Sequence, residues 1–244
     1  MFLRRWEKLN KLNSKIIALQ FVNHYFSECQ GAILAGSVVR GEANSTSDLD
    51  IVIFDSTLPS AYRESLFFEN WPIEVFVHNL HSYKEFFASD CERAKPTLPR
   101  MVAEGIVLKD EGIMEDICSE ARSLLSNGPV PWSLETIYMK RYFLTDMLDD
   151  FIGNTCRAEE IFIAGTLADL TGEFILRTNR QWLGHGKWLV RSLKLYDEKL
   201  ANKFANAFQC FYETGQKEEV IELVESALQP HGGRLFEGFS VKKN

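Results

Sequence analysis

LAGSVVRGEANSTSDLDIVIF, Leu34 to Phe54, is the stretch whose reading decides how this chain folds. It holds a Gly36-Ser37 turn, Arg40 and Gly41, a polar loop, and then Asp48 and Asp50 set into an otherwise apolar strand. Side chains alternate faces along a strand, so both carboxylates point the same way, with Cβ atoms roughly 7 Å apart. Leu49, Ile51 and Ile53 take the opposite face and can enter a core. Two carboxylates about 5 Å apart repel by about 3 kcal/mol at an effective dielectric near 20. A divalent cation relieves that repulsion, and hard oxygen donors suit Mg²⁺. Upstream, the apolar run Ala32 to Ala35 ends at Gly-Ser, where a helix is expected to begin. Its exposed N–H groups, its positive end and the Ser37 hydroxyl make an anion site. A phosphate cradle beside an acid pair describes a nucleotide–metal site suited to phosphoryl or nucleotidyl transfer.

Gly36-Ser37-x-x-Arg40-Gly41 followed by Ser47-Asp48-Leu49-Asp50 resembles the signature of the DNA polymerase β-like nucleotidyltransferase superfamily. It is most similar to the small stand-alone members, the aminoglycoside and lincosamide nucleotidyltransferases and the minimal nucleotidyltransferases. The resemblance implies that Gly36 and Ser37 bind the triphosphate, with help from Arg40, and that Asp48 and Asp50 ligate two Mg²⁺ ions. It also implies ATP as the substrate in most such proteins, attack by an acceptor hydroxyl on the α-phosphorus, and release of pyrophosphate. The acceptor stays open between an antibiotic, another small metabolite and a protein hydroxyl in a toxin–antitoxin pair. A non-catalytic nucleotide-binding module is the alternative of a different kind, and the repulsive acid pair argues against it.

Outward from this stretch, residues 6 to about 28 have apolar residues at helical spacing, from Trp6, Leu9 and Leu12 to Ile16, Leu19 and Val22. His24, beside Tyr25 and Phe26, reads as structural. Four strands are expected, at Ala32–Ala35, Asp48–Phe54, Ile73–Val77 and Gly105–Leu108, with Glu69-Asn70-Trp71-Pro72 as a turn. Ser82 reads as the cap of a short helix Tyr83–Phe87, with Glu85 completing a capping box. On the third strand, Glu74 is a lone acid among apolar residues. It is either the exposed face of an edge strand or a third carboxylate aligned with Asp48 and Asp50. In the resembled family the next strand carries such a residue, as a metal ligand or as the general base, so Glu74 is the candidate for both roles.

Ser126 to Pro131 is the clearest linker, and it divides a nucleotidyltransferase domain, 1–127, from an all-helical bundle, 128–244. The expected class is α+β, a small mixed sheet with flanking helices followed by the bundle. Helices are expected at about 134–152, 159–178, 187–208 and 218–228. In the bundle, Asp146, Asp149 and Asp150 share a helix face that either grips a polycationic acceptor or is simply solvated. Asp169 and Glu173 form an i,i+4 pair that either supplies a base or is a polar stripe. Lys187 and Arg191 lie one turn apart at a helix start after Gly184 and Gly186, an arrangement suited to clamping a triphosphate. The alternative there is a turn with Trp182 and Trp188 as core plugs. The tail from Pro230 to Lys242-Lys243-Asn244 reads as a surface extension.

Whole-chain totals narrow the partners. A net charge of −7 over 244 residues disfavours a nucleic-acid substrate and fits a small, cationic acceptor better. The five cysteines are scattered and lack a Cys-x-x-Cys pair, as in a cytoplasmic protein without disulfides. Neither a secretory leader nor a membrane-spanning run is visible, and homodimerisation stays open.

Overall fold

The structure, a computed structural model, describes residues 2–241, with side chains from residue 13 onward. The expected apolar positions Trp6, Leu9 and Leu12 and the end of the tail, Lys242 to Asn244, lie outside the described side chains. The chain forms two compact units, Met1–Asn127 and Gly128–Asn244.

The first unit is built on a five-stranded mixed sheet: β1 (Gly31–Ala35), β2 (Leu49–Phe54), β3 (Tyr62–Phe68), β4 (Trp71–His78) and β5 (Ile106–Asp110). Their order is β3-β4-β2-β1-β5. β2 and β4 run parallel, and the other three pairings are antiparallel. The alternation read from the sequence sorts the two faces. Leu49, Ile51, Ile53, Ile73, Val75 and Val77 pack with Ala18, Phe21 and Val22 of α1 (Phe2–Tyr25). Ile33, Ala35, Val52 and Phe54 pack on the other side with Tyr83, Phe87, Leu98, Val102 and Ile117. Those residues come from α3 (Ser82–Glu92), α4 (Thr97–Glu104) and α5 (Met114–Asn127). Between β1 and β2 lies the short helix α2 (Gly36–Arg40).

Several expectations are corrected by this architecture. β3 lacks the apolar alternation of a half-buried strand, because Tyr62 to Ser65 are exposed on the sheet edge. Its presence makes β4 an interior strand, so Glu74 is not on an edge. Glu69 and Asn70 close the β3–β4 hairpin with φ of 49° and 65°, the primed-turn geometry that follows strand twist, and Trp71-Pro72 already belong to β4. At α3 the capping group is Asn79, whose Oδ1 accepts from the backbone N–H of His81 and Ser82 at 2.9 and 2.7 Å. Glu85 pairs with His81 at 3.3 Å rather than completing a box. His24 sits against the rings of Tyr25 and Phe68, a packing position.

The second unit is helical: α6 (Leu134–Gly153), α7 (Arg157–Thr178), α8 (Lys187–Tyr196), α9 (Glu198–Thr214) and α10 (Glu218–Leu228). The single helix expected over 187–208 is two. Asp197 leaves the helical region and its carboxylate accepts from the N–H of Lys199 and Leu200, so an N-cap restarts the chain in a new direction. Leu148, Phe151, Leu167, Leu176, Phe211, Val220 and Leu228 form the buried interior. The tail is bound rather than loose. Arg141 donates to the carbonyls of Gly232, Gly233 and Arg234, and Phe239 stacks on Tyr142 with ring centroids 3.7 Å apart.

Candidate active site

β1 ends at Ala35, which pairs with Asp50 across the antiparallel ladder. The chain then turns through Gly36 at φ +81°, a left-handed value that penalises any Cβ. A Cβ there would also lie 1.8 Å from Asp50 Oδ2, so glycine is required twice over. Gly36 therefore abuts the very carboxylate that its motif position suggested. α2 ends at Gly41, again left-handed, which lets the loop fold back toward β2. That loop is pinned by short hydrogen bonds. Asn44 Oδ1 accepts from the Thr46 N–H at 2.9 Å, the Asn44 N–H donates to Ser47 Oγ at 2.9 Å, and the Ser37 hydroxyl donates to Ser47 Oγ at 3.2 Å.

The parallel register of β2 and β4 sets Asp50 opposite Glu74. Asp48, one residue before β2, completes the group: one oxygen from each of Asp48, Asp50 and Glu74 lies within 4.8 Å of the others. All three are half-buried. Burial pushes the Asp50 carboxyl up to about 6, with Asp48 and Glu74 adding to the rise and Arg40 and Arg63 opposing it. Three carboxylate oxygens within 4.8 Å of one another are hard donors of the kind that suits Mg²⁺, so the residue types fit the cation that the acid pair called for.

Around this group stand two arginines. Arg40 Nε bonds Glu42 at 3.0 Å and its guanidinium lies 3.9 Å from Glu104. Arg63, on β3, forms an ion pair with Glu74 Oε1, lies 4.8 Å over the Phe76 ring, and is joined on the same oxygen by the Ser65 hydroxyl at 3.3 Å. Sequence reasoning missed Arg63 and Ser65 because it missed their strand. The one available signal was Asn70 ahead of Trp71, a residue that tolerates the left-handed turn of a tight hairpin.

The family model for the nucleotidyltransferase domain matches residues 17–88, which run from α1 through the carboxylates into α3. Within the N-terminal unit, residues 17–88 thus resemble a nucleotidyltransferase domain. A domain of that kind implies a nucleotide substrate. Among solved structures, the chain is similar to a nucleotidyltransferase-like protein from Exiguobacterium sibiricum 255-15. The two share 9% identity over 88% of this chain and 74% of that one, with a TM-score of 0.45. No curated protein matches the chain.

The N-terminal unit thus gathers Gly36, Ser37, Arg40, Asp48, Asp50 and Glu74 in one place. Lys187 and Arg191 belong to the second unit. Lys187 opens α8 and is exposed, whereas Arg191 lies 4.8 Å over the Trp188 ring. Of the acidic residues there, Asp149 is paired with Arg234 at 3.0 Å and Glu173 with Lys140 at 2.6 Å. Asp149 and Asp150 line a cavity of about 760 Å³ together with Glu159, Phe162 and Ile163.

Proposed function

We propose that the protein is a Mg²⁺-dependent nucleotidyltransferase that moves AMP from ATP to a hydroxyl of a small acceptor and releases pyrophosphate. One observation carries this reading: the convergence of Asp48, Asp50 and Glu74 beside the Gly36 turn. Asp48, Asp50 and Glu74 would hold the metal, which when bound supplies Lewis-acid stabilisation of charge on the attacking and leaving oxygens. Gly36 lets the chain turn directly against Asp50, which keeps the start of α2 beside the carboxylates. The Ser37 hydroxyl, now donating to Ser47, can turn to a phosphate oxygen, and Arg40 offsets negative charge nearby. Because one Glu74 oxygen lies within 4.8 Å of an oxygen of both Asp48 and Asp50, we assign Glu74 as third ligand rather than base.

Net charge of −7 favours a cationic acceptor, with aminoglycoside and lincosamide antibiotics the first class to try. Five free cysteines fit the cytoplasm, where we place the protein. No described helix is long and apolar enough to cross a membrane. The test is incubation with α-labelled ATP and Mg²⁺ against a panel of these antibiotics and of protein hydroxyl acceptors. Labelled product and pyrophosphate that vanish with EDTA and in Asp48→Asn support the reading. ATP binding that ignores Mg²⁺, with no transfer to any acceptor, refutes it.

A further inference from the structure

The three carboxylates of the site carry a net deficit of positive charge, and the fold has met it from an unexpected quarter. Arg63 projects from the edge strand β3 and pairs with Glu74, while Arg40 on the opposite flank is engaged with Glu42 and Glu104. The side chains of Arg63 and Ser65 both meet Glu74 on Oε1. Arg63 is also 60% exposed, so it gives up little packing when it moves. In the same position its guanidinium lies 4.8 Å over the Phe76 ring, a contact that does not depend on the carboxylate.

We propose that Arg63 is the resident counter-ion of the carboxylate cluster, neutralising Glu74 in the cation-free protein and antagonising the divalent cation that would bind Asp48, Asp50 and Glu74. This rests on the cation site argued above. A guanidinium and a divalent ion sharing one carboxylate are like charges a few ångströms apart, and their repulsion is screened only in part at a half-buried site. Arg63 is therefore a positioning residue whose charge sets how tightly the site holds a cation.

The experiment is Mn²⁺ binding to the nucleotide-free full chain, followed by electron paramagnetic resonance, for wild type, Arg63→Gln, Arg63→Lys and Asp50→Asn. Arg63→Gln should bind Mn²⁺ tighter, roughly three- to tenfold from the loss of one like charge. Arg63→Lys, which keeps the charge, should stay within about twofold of wild type. A merely structural Arg63 would loosen Glu74 and weaken Mn²⁺ binding on substitution. Unchanged or weaker binding by Arg63→Gln therefore overturns the inference. Asp50→Asn separates the two readings: if it weakens Mn²⁺ binding while Arg63→Gln fails to tighten it, the counter-ion inference alone fails. If Asp50→Asn leaves Mn²⁺ binding unchanged, the cation site itself is wrong.

Discussion

Replacing Asp50 by asparagine should make the metal-free protein more stable. In the folded chain burial, Asp48 and Glu74 raise the Asp50 carboxyl from 3.8 to about 6. A carboxyl raised in this way is ionised at a cost when the chain is folded. That cost is fully present above about 6, and stability is regained as pH falls toward 4 and the folded form takes up its proton. A rise of that size corresponds to about 3 kcal/mol, and partial solvent access trims this to about 2 kcal/mol. Asparagine keeps the shape and removes the charge. In urea denaturation with EDTA at about pH 8, Asp50→Asn should therefore exceed wild type by about 2 kcal/mol, and the two should converge near pH 4. Adding Mg²⁺ at the higher pH should stabilise wild type and leave the variant unmoved. A variant less stable than wild type under those alkaline conditions would refute the reasoning, since Asp50 would then be a structural acceptor. An advantage that persists undiminished in acid would do the same, because it would not be electrostatic.

Other perturbations follow from the same geometry. Gly36→Ala places a Cβ against Asp50 Oδ2 at a left-handed φ, so it should cost on the order of 2 kcal/mol in urea denaturation and abolish transfer. Ser37→Ala loses one hydrogen bond to Ser47, which should cost about 1 kcal/mol or less while weakening ATP binding in a thermal shift titration. Arg141→Ala releases three tail carbonyls and should lower stability by about 2 kcal/mol, with hydrogen exchange rising in residues 232–240. If exchange there is as fast in wild type, the tail is not anchored by Arg141.

Local pattern carried much of this protein in its sequence. Alternation across Leu49 to Phe54 put Asp48 and Asp50 on one face, and that needs only the two-residue period of a strand. Gly36-Ser37 marked the turn because a left-handed backbone position selects glycine whatever surrounds it. The failures were of two kinds. β3 was invisible because only Leu66 and Phe68, near its end, pack on the core, too few to write an apolar period, and with it went Arg63 and Ser65. The break at Asp197 was overrun because apolar spacing continues past it, and only the cap geometry marks the new helix.

What only tertiary structure decided is the pairing. Glu74 becomes a third carboxylate through the parallel register of β2 and β4, and Arg63 meets it through a hairpin closed at Asn70. Those contacts depend on which strands become neighbours, a choice made by the burial of both sheet faces rather than by any residue's own preference.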